Sequence, residues 1–230
     1  MVYRKGNYLM KLNKKTLSEQ IYQILKADIL TQTFSPGEKL TLKQLQERFE
    51  VSSTPIRDAL TRLTEEGLME YYSNIGVNVV SLNREDLKEL YECMADLDSL
   101  AIRHAASHPN QEALRKELEE NALASARFLQ TDSRTEEDQA HWQALSDRFH
   151  LIFYDYCRNR RMCAAAERQR GQLTIFSNQY SADPAALLEI EREHQGIYRA
   201  YTDGDVELAV RRMQEHLMHS MEFALELVKD

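Results

Sequence analysis

The sequence is poor in glycine, proline and cysteine. Seven glycines and four prolines in 230 residues are too few for a turn-rich β-sandwich or a fibrous chain, and they favour helices. The three cysteines, Cys93, Cys157 and Cys163, are odd in number and lack CxxC spacing. This argues against a disulfide framework or a thiolate zinc site and suits a reducing cytoplasm. Neither an apolar run of about 18 residues nor a signal-peptide pattern occurs, so we expect no membrane span and no signal peptide.

Charge divides the chain into two unequal parts. Residues 1–82 carry a net charge of +2, residues 83–230 carry −10, and the first 15 residues alone contribute +5. The length suits one large domain or two small ones, and 43% apolar residues are enough for a buried core. The basic tail is either a solvated segment on an acidic protein or part of a polyanion-binding N-terminal module. Charge alone does not decide between the two.

The N-terminal part has the pattern of three helices and a β-hairpin. Thr16 begins a TLSE capping box at the start of a first helix, and Thr41 marks the start of a short second helix. Either Ser52 or Ser53 caps a third helix. The runs LMEYY and VNVVSL then predict a β-hairpin over 68–81. Helix, helix, short turn, helix and hairpin is the order of a winged helix-turn-helix.

The first turn of the third helix carries candidate DNA contacts. In a winged helix-turn-helix this helix lies in the major groove, with its N-terminal residues facing the base edges. Free backbone N–H groups and small hydroxyls there suit phosphate contacts, and Arg57 is able to reach a guanine edge or a phosphate. The alternative is that Ser52 merely caps the helix and Arg57 is solvated. The ordered pattern of the whole module favours DNA binding.

The stretch PGEKLTLKQLQERFEVSSTPIRDALTRLTEEGLMEYYSNIGVNVV resembles the GntR family of bacterial transcription regulators. The resemblance covers residues 16–81. It implies DNA contacts from the second helix, the start of the third helix and the wing tip near Ile75-Gly76. The family usually has arginine where Ser53 stands, so an operator that departs from the common half-site is expected. Carried over by position, the DNA-binding residues are Lys43, Ser52, Ser53, Thr54, Pro55, Arg57 and Gly76.

After Asn83 the sequence predicts an all-helical bundle. Apolar residues keep helical spacing between short loops, and the predicted helices span 84–107, 110–130, 136–157, 160–181, 184–202 and 205–228. The fold class is therefore mainly α. A winged helix-turn-helix with a basic tail occupies 1–82, and a helical domain occupies 83–230, which the resemblance to the family implies is an effector-binding and dimerisation domain.

Three histidines of the bundle lie on apolar helix faces. His150 is flanked by Phe149 and Phe153, and both His194 and His216 have apolar neighbours at helical spacing. Neutral imidazoles that converge in a helical bundle are good ligands for transition metals. The alternative is that each is an ordinary core histidine with a hydrogen-bond partner. The other four histidines lack this pattern and are expected at the surface.

Residues 84–225 are similar to the FCD effector domain of the FadR-like branch of that family. The resemblance rests on YECMADLDSLAIRHAA, SDRFHLIFYDYCRN and EREHQGIYRAYTDGDVELAVRRMQEHL. It implies a divalent metal, Zn or Ni, held by three histidines and one aspartate. The family's aspartate falls on Ser146, so Asp147 is the candidate carboxylate and Asp98 the reserve, while the family's effector-binding arginine falls on Met94. The implied metal ligands are His150, His194, His216 and Asp147, and the implied effector pocket is Asp98, Met94 and Ser146.

The resemblance predicts an effector-responsive repressor of a metabolic operon, a cytoplasmic homodimer and not an enzyme. Paired winged helices would read two half-sites of a near-palindromic, double-stranded operator. A small effector, implied to be a carboxylate metabolite, would shift the population between arrangements of unequal DNA affinity. One alternative is a constitutive DNA-binding dimer whose helical domain binds no effector. Another is a metal-dependent enzyme, which the lack of an HExxH motif or other placed base disfavours.

Overall fold

The computed structural model describes residues 16–73, 76–130 and 135–228. The basic tail and Ile75 of the wing tip, both singled out above, lie outside these ranges. The helices and strands within them are, in chain order, α1 (Leu17–Leu30), β1 (Lys39–Thr41), α2 (Leu42–Phe49), α3 (Ser53–Glu65), β2 (Met69–Ser73), β3 (Gly76–Val79), α4 (Arg84–Ala106), α5 (Gln111–Ala126), α6 (Glu136–Tyr156), α7 (Arg160–Tyr180), α8 (Pro184–Thr202) and α9 (Val206–Leu227).

In the winged part, α1–α3 with β1–β3, the three helices and the hairpin of β2 and β3 form as the sequence predicts. The hydroxyl of Thr16 accepts from the backbone N–H of Glu19, and Thr41 forms a full capping box with Gln44. Ser52 occupies the N-cap position of α3, but its side chain makes no capping hydrogen bond. The predicted cap is therefore at Ser52, without the side-chain hydrogen bond, and Ser52 is exposed at the start of α3.

The small sheet holds one strand that the sequence pattern does not predict. Its order is β1-β3-β2 and both pairings are antiparallel. In the β1–β3 pair, Leu40 lies opposite Val77. Three residues are too few to show a period of two, and the sequence around Thr41 predicts only the start of a helix. The strand joins the loop before α2 to the wing.

The helical bundle, α4–α9, confirms the predicted all-helical fold. Its helix ends shift by a few residues, and a 3₁₀ turn at Arg127–Gln130 replaces the predicted end of α5. α4 packs along α9 and α6, and α8 packs along α9. Phe149 and Phe153 of α6 are buried together with Tyr201 of α8. None of the described helices is long and apolar enough to cross a membrane.

The winged part and the helical bundle meet closely along α7. A Cβ on Gly171 would overlap the backbone oxygen of Glu66, so only glycine fits there. The ammonium of Lys26 on α1 pairs with Glu66 at 2.7 Å. A cavity of about 270 Å³ lies at this junction, and its lining includes Lys26, Asp147 and Arg170. One continuous apolar core runs through both parts.

Candidate functional site

The N-terminal turn of α3 is open to solvent. Ile56 and Ala59 are fully buried and fix the rotation of the helix. That rotation leaves Ser52, Thr54 and Arg57 exposed, while Ser53 and Pro55 are half-buried. The free N–H groups of the first turn therefore face outward with small hydroxyls beside them. This is the arrangement that favours phosphate and base contacts at a recognition helix.

The two remaining candidate DNA contacts lie in unlike surroundings. Lys43 on α2 is exposed, and its ammonium is 3.8 Å from Glu47. Gly76 is instead buried in the sheet. A Cβ there would lie 2.6 Å from the ring of Tyr72 and 2.7 Å from the carbonyl oxygen of Leu40. Close packing therefore requires glycine at this position, and a contact between Gly76 and DNA stays a prediction.

Three buried imidazoles meet inside the helical bundle. His150 comes from α6, His194 from α8 and His216 from α9, and each is at most 4% exposed. One ring nitrogen from each lies within 4.8 Å of the others. The Nε2 atoms of His194 and His216 are 3.2 Å apart. The structure thus brings together all three histidines that the sequence pattern singles out.

Carboxylates orient two of the three rings. Nδ1 of His150 donates to Asp98 at 2.8 Å, and Nδ1 of His216 donates to Glu193 at 2.8 Å. Nδ1 is then the protonated nitrogen of both rings, and Nε2 of His216 faces Nε2 of His194. Histidines that bind metals commonly donate their other N–H to a carboxylate in this way.

Asp98 is the centre of a second layer of polar contacts. Besides His150, it accepts from the hydroxyl of Tyr154 at 2.7 Å and from the guanidinium of Arg170 at 2.5 Å. Arg170 is 6% exposed, so this is a buried charge pair. The contacts leave Asp98 behind His150, on the Nδ1 side of the ring, and not among the converging nitrogens.

Burial sets the protonation of the cluster. Burial, with the Arg170 guanidinium nearby, lowers the pKa of His150 to about 3. Burial and the two neighbouring imidazoles lower the pKa of His194 well below its ordinary value. Both rings are therefore neutral at pH 7, which is the form that binds metals. Burial alone raises the pKa of Asp98, but Arg170 and the hydrogen bond from His150 outweigh it and hold this pKa well below its usual range.

Asp147 is not brought to the histidines. Its carboxylate lies 3.3 Å from the hydroxyl of Thr174 on α7 and lines the cavity at the junction. Burial raises the pKa of Asp147. The structure corrects the prediction that Asp147 is the fourth ligand. Asp147 follows the family's aspartate position, Ser146, by one residue, and one step along an α-helix turns the side chain by about 100° around the axis. Among the described residues, no carboxylate joins the three histidines as a possible ligand.

The predicted effector-pocket residues also separate. Asp98 reaches the cluster, as described above. Met94 lies fully buried in the core one turn earlier on α4. Ser146 is half-buried and lines a small cavity with Trp142 and Ser181. The structure therefore places only Asp98 of these three in contact with a histidine of the cluster.

Sequence reasoning does not identify Tyr154, Arg170 or Glu193. Tyr154 follows His150 by four residues, and that helical spacing is a usable signal for it. Arg170 stands in the polar run ERQRG, where nothing marks it as buried. Glu193 joins His216 from another helix, and it also accepts from His219 at 2.6 Å. Such partners become visible only when the helices are packed.

A cleft between α8 and α9 leads to the cluster from the surface. Its volume is about 360 Å³, and His216 is one of its walls. Arg192 is exposed at the cleft, and Arg212 donates to the backbone oxygen of Gly196 at 2.6 Å. Two guanidinium groups and the two carboxylates of Glu193 and Glu215 therefore lie at the entrance to the histidine cluster.

The fold and these two sites define the class: a winged-helix DNA-binding protein that carries a helical ligand-binding bundle. The family model described as bacterial regulatory proteins, gntR family, matches residues 17–79. The FCD domain model matches residues 89–219, more than half of the chain. The chain belongs to the GntR family of transcription regulators and contains an FCD domain.

Individual relatives agree with this assignment. An uncharacterized HTH-type transcriptional regulator of Bacillus subtilis, YdhC, is 29% identical over 226 residues, which is 96% of each chain. The HTH-type transcriptional repressor GlaR of Escherichia coli is 24% identical and covers 86% of this chain and 90% of its own. The crystal structure of a GntR transcriptional regulator from Rhodococcus sp. RHA1 has the same fold, with a TM-score of 0.71 at 19% identity, over 92% of this chain and 99% of that one. The similar proteins are regulators of transcription and not enzymes.

Proposed function

We propose that this protein is an effector-responsive repressor in which residues 1–82 bind an operator and residues 83–230 bind the effector and dimerise. The exposed first turn of α3, with Arg57 at its edge, supports operator binding. GlaR, a relative similar over most of both chains, is described as a repressor, which supports repression over activation. Such a protein acts where bacterial DNA lies, in the cytoplasm.

We propose further that His150, His194 and His216 hold one divalent ion, Zn²⁺ or Ni²⁺. The observation that carries this proposal is the convergence of their ring nitrogens within 4.8 Å. Two histidine nitrogens on one zinc ion lie at most about 4.2 Å apart, since each bond is about 2.1 Å, so small side-chain rotations suffice. Asp98 and Glu193 already hold two rings in the tautomer that binding requires. Three protein ligands leave open positions, and a bound ion would supply a Lewis-acidic anchor there for an anion.

The effector that fits this site is a small carboxylate. The cleft beside His216 carries Arg192 and Arg212 together with Glu193 and Glu215. Glu193 already accepts from His216 and His219, and guanidinium groups recognise carboxylates by bidentate hydrogen bonds. The interior beyond it is partly apolar, because burial lowers the pKa of His150 and of His194 and Phe149 stacks on His194 with ring centroids 4.5 Å apart. A short anionic metabolite with an apolar body suits both regions.

Metal titration of the purified chain tests the site directly. We expect chelated protein to take up one Zn²⁺ or Ni²⁺ per chain, with a rise in melting temperature that grows with ion concentration. His194→Ala should lose this uptake, because it removes a central ligand. His104→Ala, at an exposed position on α4, is the control and should bind like the unmodified chain. No uptake by the unmodified chain, or equal uptake by His194→Ala, would refute the metal site.

The effector is tested separately from the metal. A panel of short mono- and dicarboxylates is added to the metal-loaded chain on a fluorescent operator selected from random duplex DNA. We expect at least one carboxylate to release DNA, and Arg212→Ala to require more of it. Release by neutral analogues of the same shape would contradict a carboxylate effector while leaving the metal site standing.

A further inference from the structure

Two cysteines that the proposed function does not use lie in contact at the turn between α6 and α7. Cys157 caps the C-terminus of α6, and Cys163 lies in the first turn of α7. Their Sγ atoms are 3.0 Å apart, about one ångström more than a disulfide bond of about 2.05 Å. Cys93 is exposed elsewhere on α4. Two of the three cysteines therefore form a close pair, although their odd number and spacing do not predict one.

The two thiols have different surroundings. The backbone N–H of Asn159 donates to the sulfur of Cys157 at 3.4 Å, a contact that favours a thiolate there. The thiol of Cys163 donates to the carbonyl oxygen of Tyr154 at 3.5 Å. Burial and the neighbouring Cys157 raise the pKa of Cys163 to about 12. Cys157 is therefore the sulfur that a backbone N–H faces, and Cys163 is the thiol that keeps its proton.

The pair lies close to solvent. Arg158, Arg160 and Arg161 flank it in the sequence, and all three are exposed. Cys157 is buried and Cys163 is half-buried, so the pair lies just beneath the surface with Cys163 on its outer side.

We propose that Cys157 and Cys163 are a reversible dithiol switch that hydroperoxides oxidise to an intrachain disulfide. The Cys157 thiolate attacks the terminal oxygen of the hydroperoxide ROOH. The S–O bond forms, the O–O bond breaks, and the departing RO⁻ takes a proton to leave as ROH. The sulfur of Cys163 then attacks the sulfenic sulfur of Cys157. The S–S bond forms, the S–O bond breaks, and hydroxide leaves with the Cys163 proton as water. The two thiols lose two electrons, and the peroxide O–O bond accepts them.

The switch is placed to act on the histidine cluster. The bond ties the end of α6 to the start of α7, and these helices carry the two groups that bind Asp98 beside His150, namely Tyr154 and Arg170. Oxidation also removes the Cys163 proton that is donated to the backbone of Tyr154. In a reducing compartment such a disulfide forms transiently, as in other redox-sensing pairs.

Intact mass and peptide mapping of the full chain test the proposal. Reduced protein is exposed to hydrogen peroxide, and the free thiols are then alkylated. We expect a loss of two hydrogens per chain, a peptide that links Cys157 to Cys163, one alkylated site at Cys93, and full reversal by dithiothreitol. The matched control Cys93→Ser should show the same loss.

Two single variants identify the order of attack. In Cys163→Ser, peroxide should leave a sulfenic acid on Cys157 that a dione reagent captures, because the resolving thiol is absent. In Cys157→Ser, only Cys163 of the pair remains, and the amount of sulfenic acid captured there should be at least tenfold lower than on Cys157 in Cys163→Ser. Alkylation of both cysteines in oxidised unmodified protein, or a link that includes Cys93, would overturn the proposal. Because the peptide map uses the unmodified chain, it decides the matter even where a variant fails to fold.

Discussion

Arg57 extends into solvent from the first turn of α3, beside the free N–H groups of that turn. We predict that Arg57→Ala weakens binding to the selected operator by about 1–3 kcal/mol and relaxes specificity at one base position. The reason is the loss of a bidentate contact to a guanine edge or a phosphate. Fluorescence anisotropy over a salt series measures both effects. Arg103→Ala, at an exposed arginine on α4 that pairs with Glu207, is the control, and equal affinity for the two variants would remove Arg57 from the interface.

Arg170 stabilises the buried polar contacts beside the histidine cluster by pairing with Asp98. It is buried, and it is the cation that keeps Asp98 ionised behind His150. We predict that Arg170→Met lowers the free energy of unfolding by about 3–5 kcal/mol, because an unpaired buried carboxylate remains. Chemical denaturation measures this loss. Arg168→Met, at an exposed position two residues earlier, should change stability by less than about 0.5 kcal/mol, and a similar loss in both variants would contradict the role of the buried pair.

At the scale of helices and strands, apolar periodicity predicts which segments are helical, but it does not predict reliably the direction of a single polar side chain. Apolar spacing predicts α4–α9 and the inward direction of His150, because a buried stripe repeats with the helix. Apolar spacing fails for Asp147, because a shift of one position along α6 turns the carboxylate away from the histidines and toward Thr174. It also misses β1, whose three residues pair with β3 only in the folded state. Contacts between elements, such as Arg170 with Asp98, leave no trace in local sequence.

Gly171 is the point at which α7 touches the winged part. We predict that Gly171→Ala destabilises the protein by about 1–3 kcal/mol and alters operator affinity, because the new Cβ overlaps the backbone oxygen of Glu66 and forces α7 away. Thermal unfolding and anisotropy measure the two effects.

The control for Gly171→Ala is Gly196→Ala, a second helical glycine. A Cβ there would lie 3.1 Å from Nη1 of Arg212, the end of a flexible side chain that is able to move. Both changes gain the same helix propensity, so their difference isolates the junction. Equal melting temperatures for the two variants would show that the contact between Glu66 and Gly171 does not constrain the molecule.

Across the whole molecule, the distribution of charge orients the protein on DNA. Residues 83–230 carry −10 and residues 1–82 carry +2, with +5 from the first 15 residues, so a polyanion repels the helical bundle and is attracted by the basic tail. The recognition surface of one chain is small, because it consists of one helix turn and its flanks. Two copies held side by side would raise the effective concentration of the second recognition helix once the first is bound. The bundle is the part with enough helices to form the contact between copies.

We therefore predict that the full chain is a homodimer and that it selects a near-palindromic site from random duplex DNA. Light scattering at micromolar concentration should give twice the 26.8 kDa of one chain. Scrambling one half-site should reduce affinity by a factor of at least about 100, since the second contact is then lost, and affinity should fall steeply with salt as counterions return to the phosphates. Arg103→Ala, away from α3, leaves both measurements unchanged and serves as the control. A monomer in solution, or equal affinity for intact and half-scrambled sites, would show that each winged part acts alone.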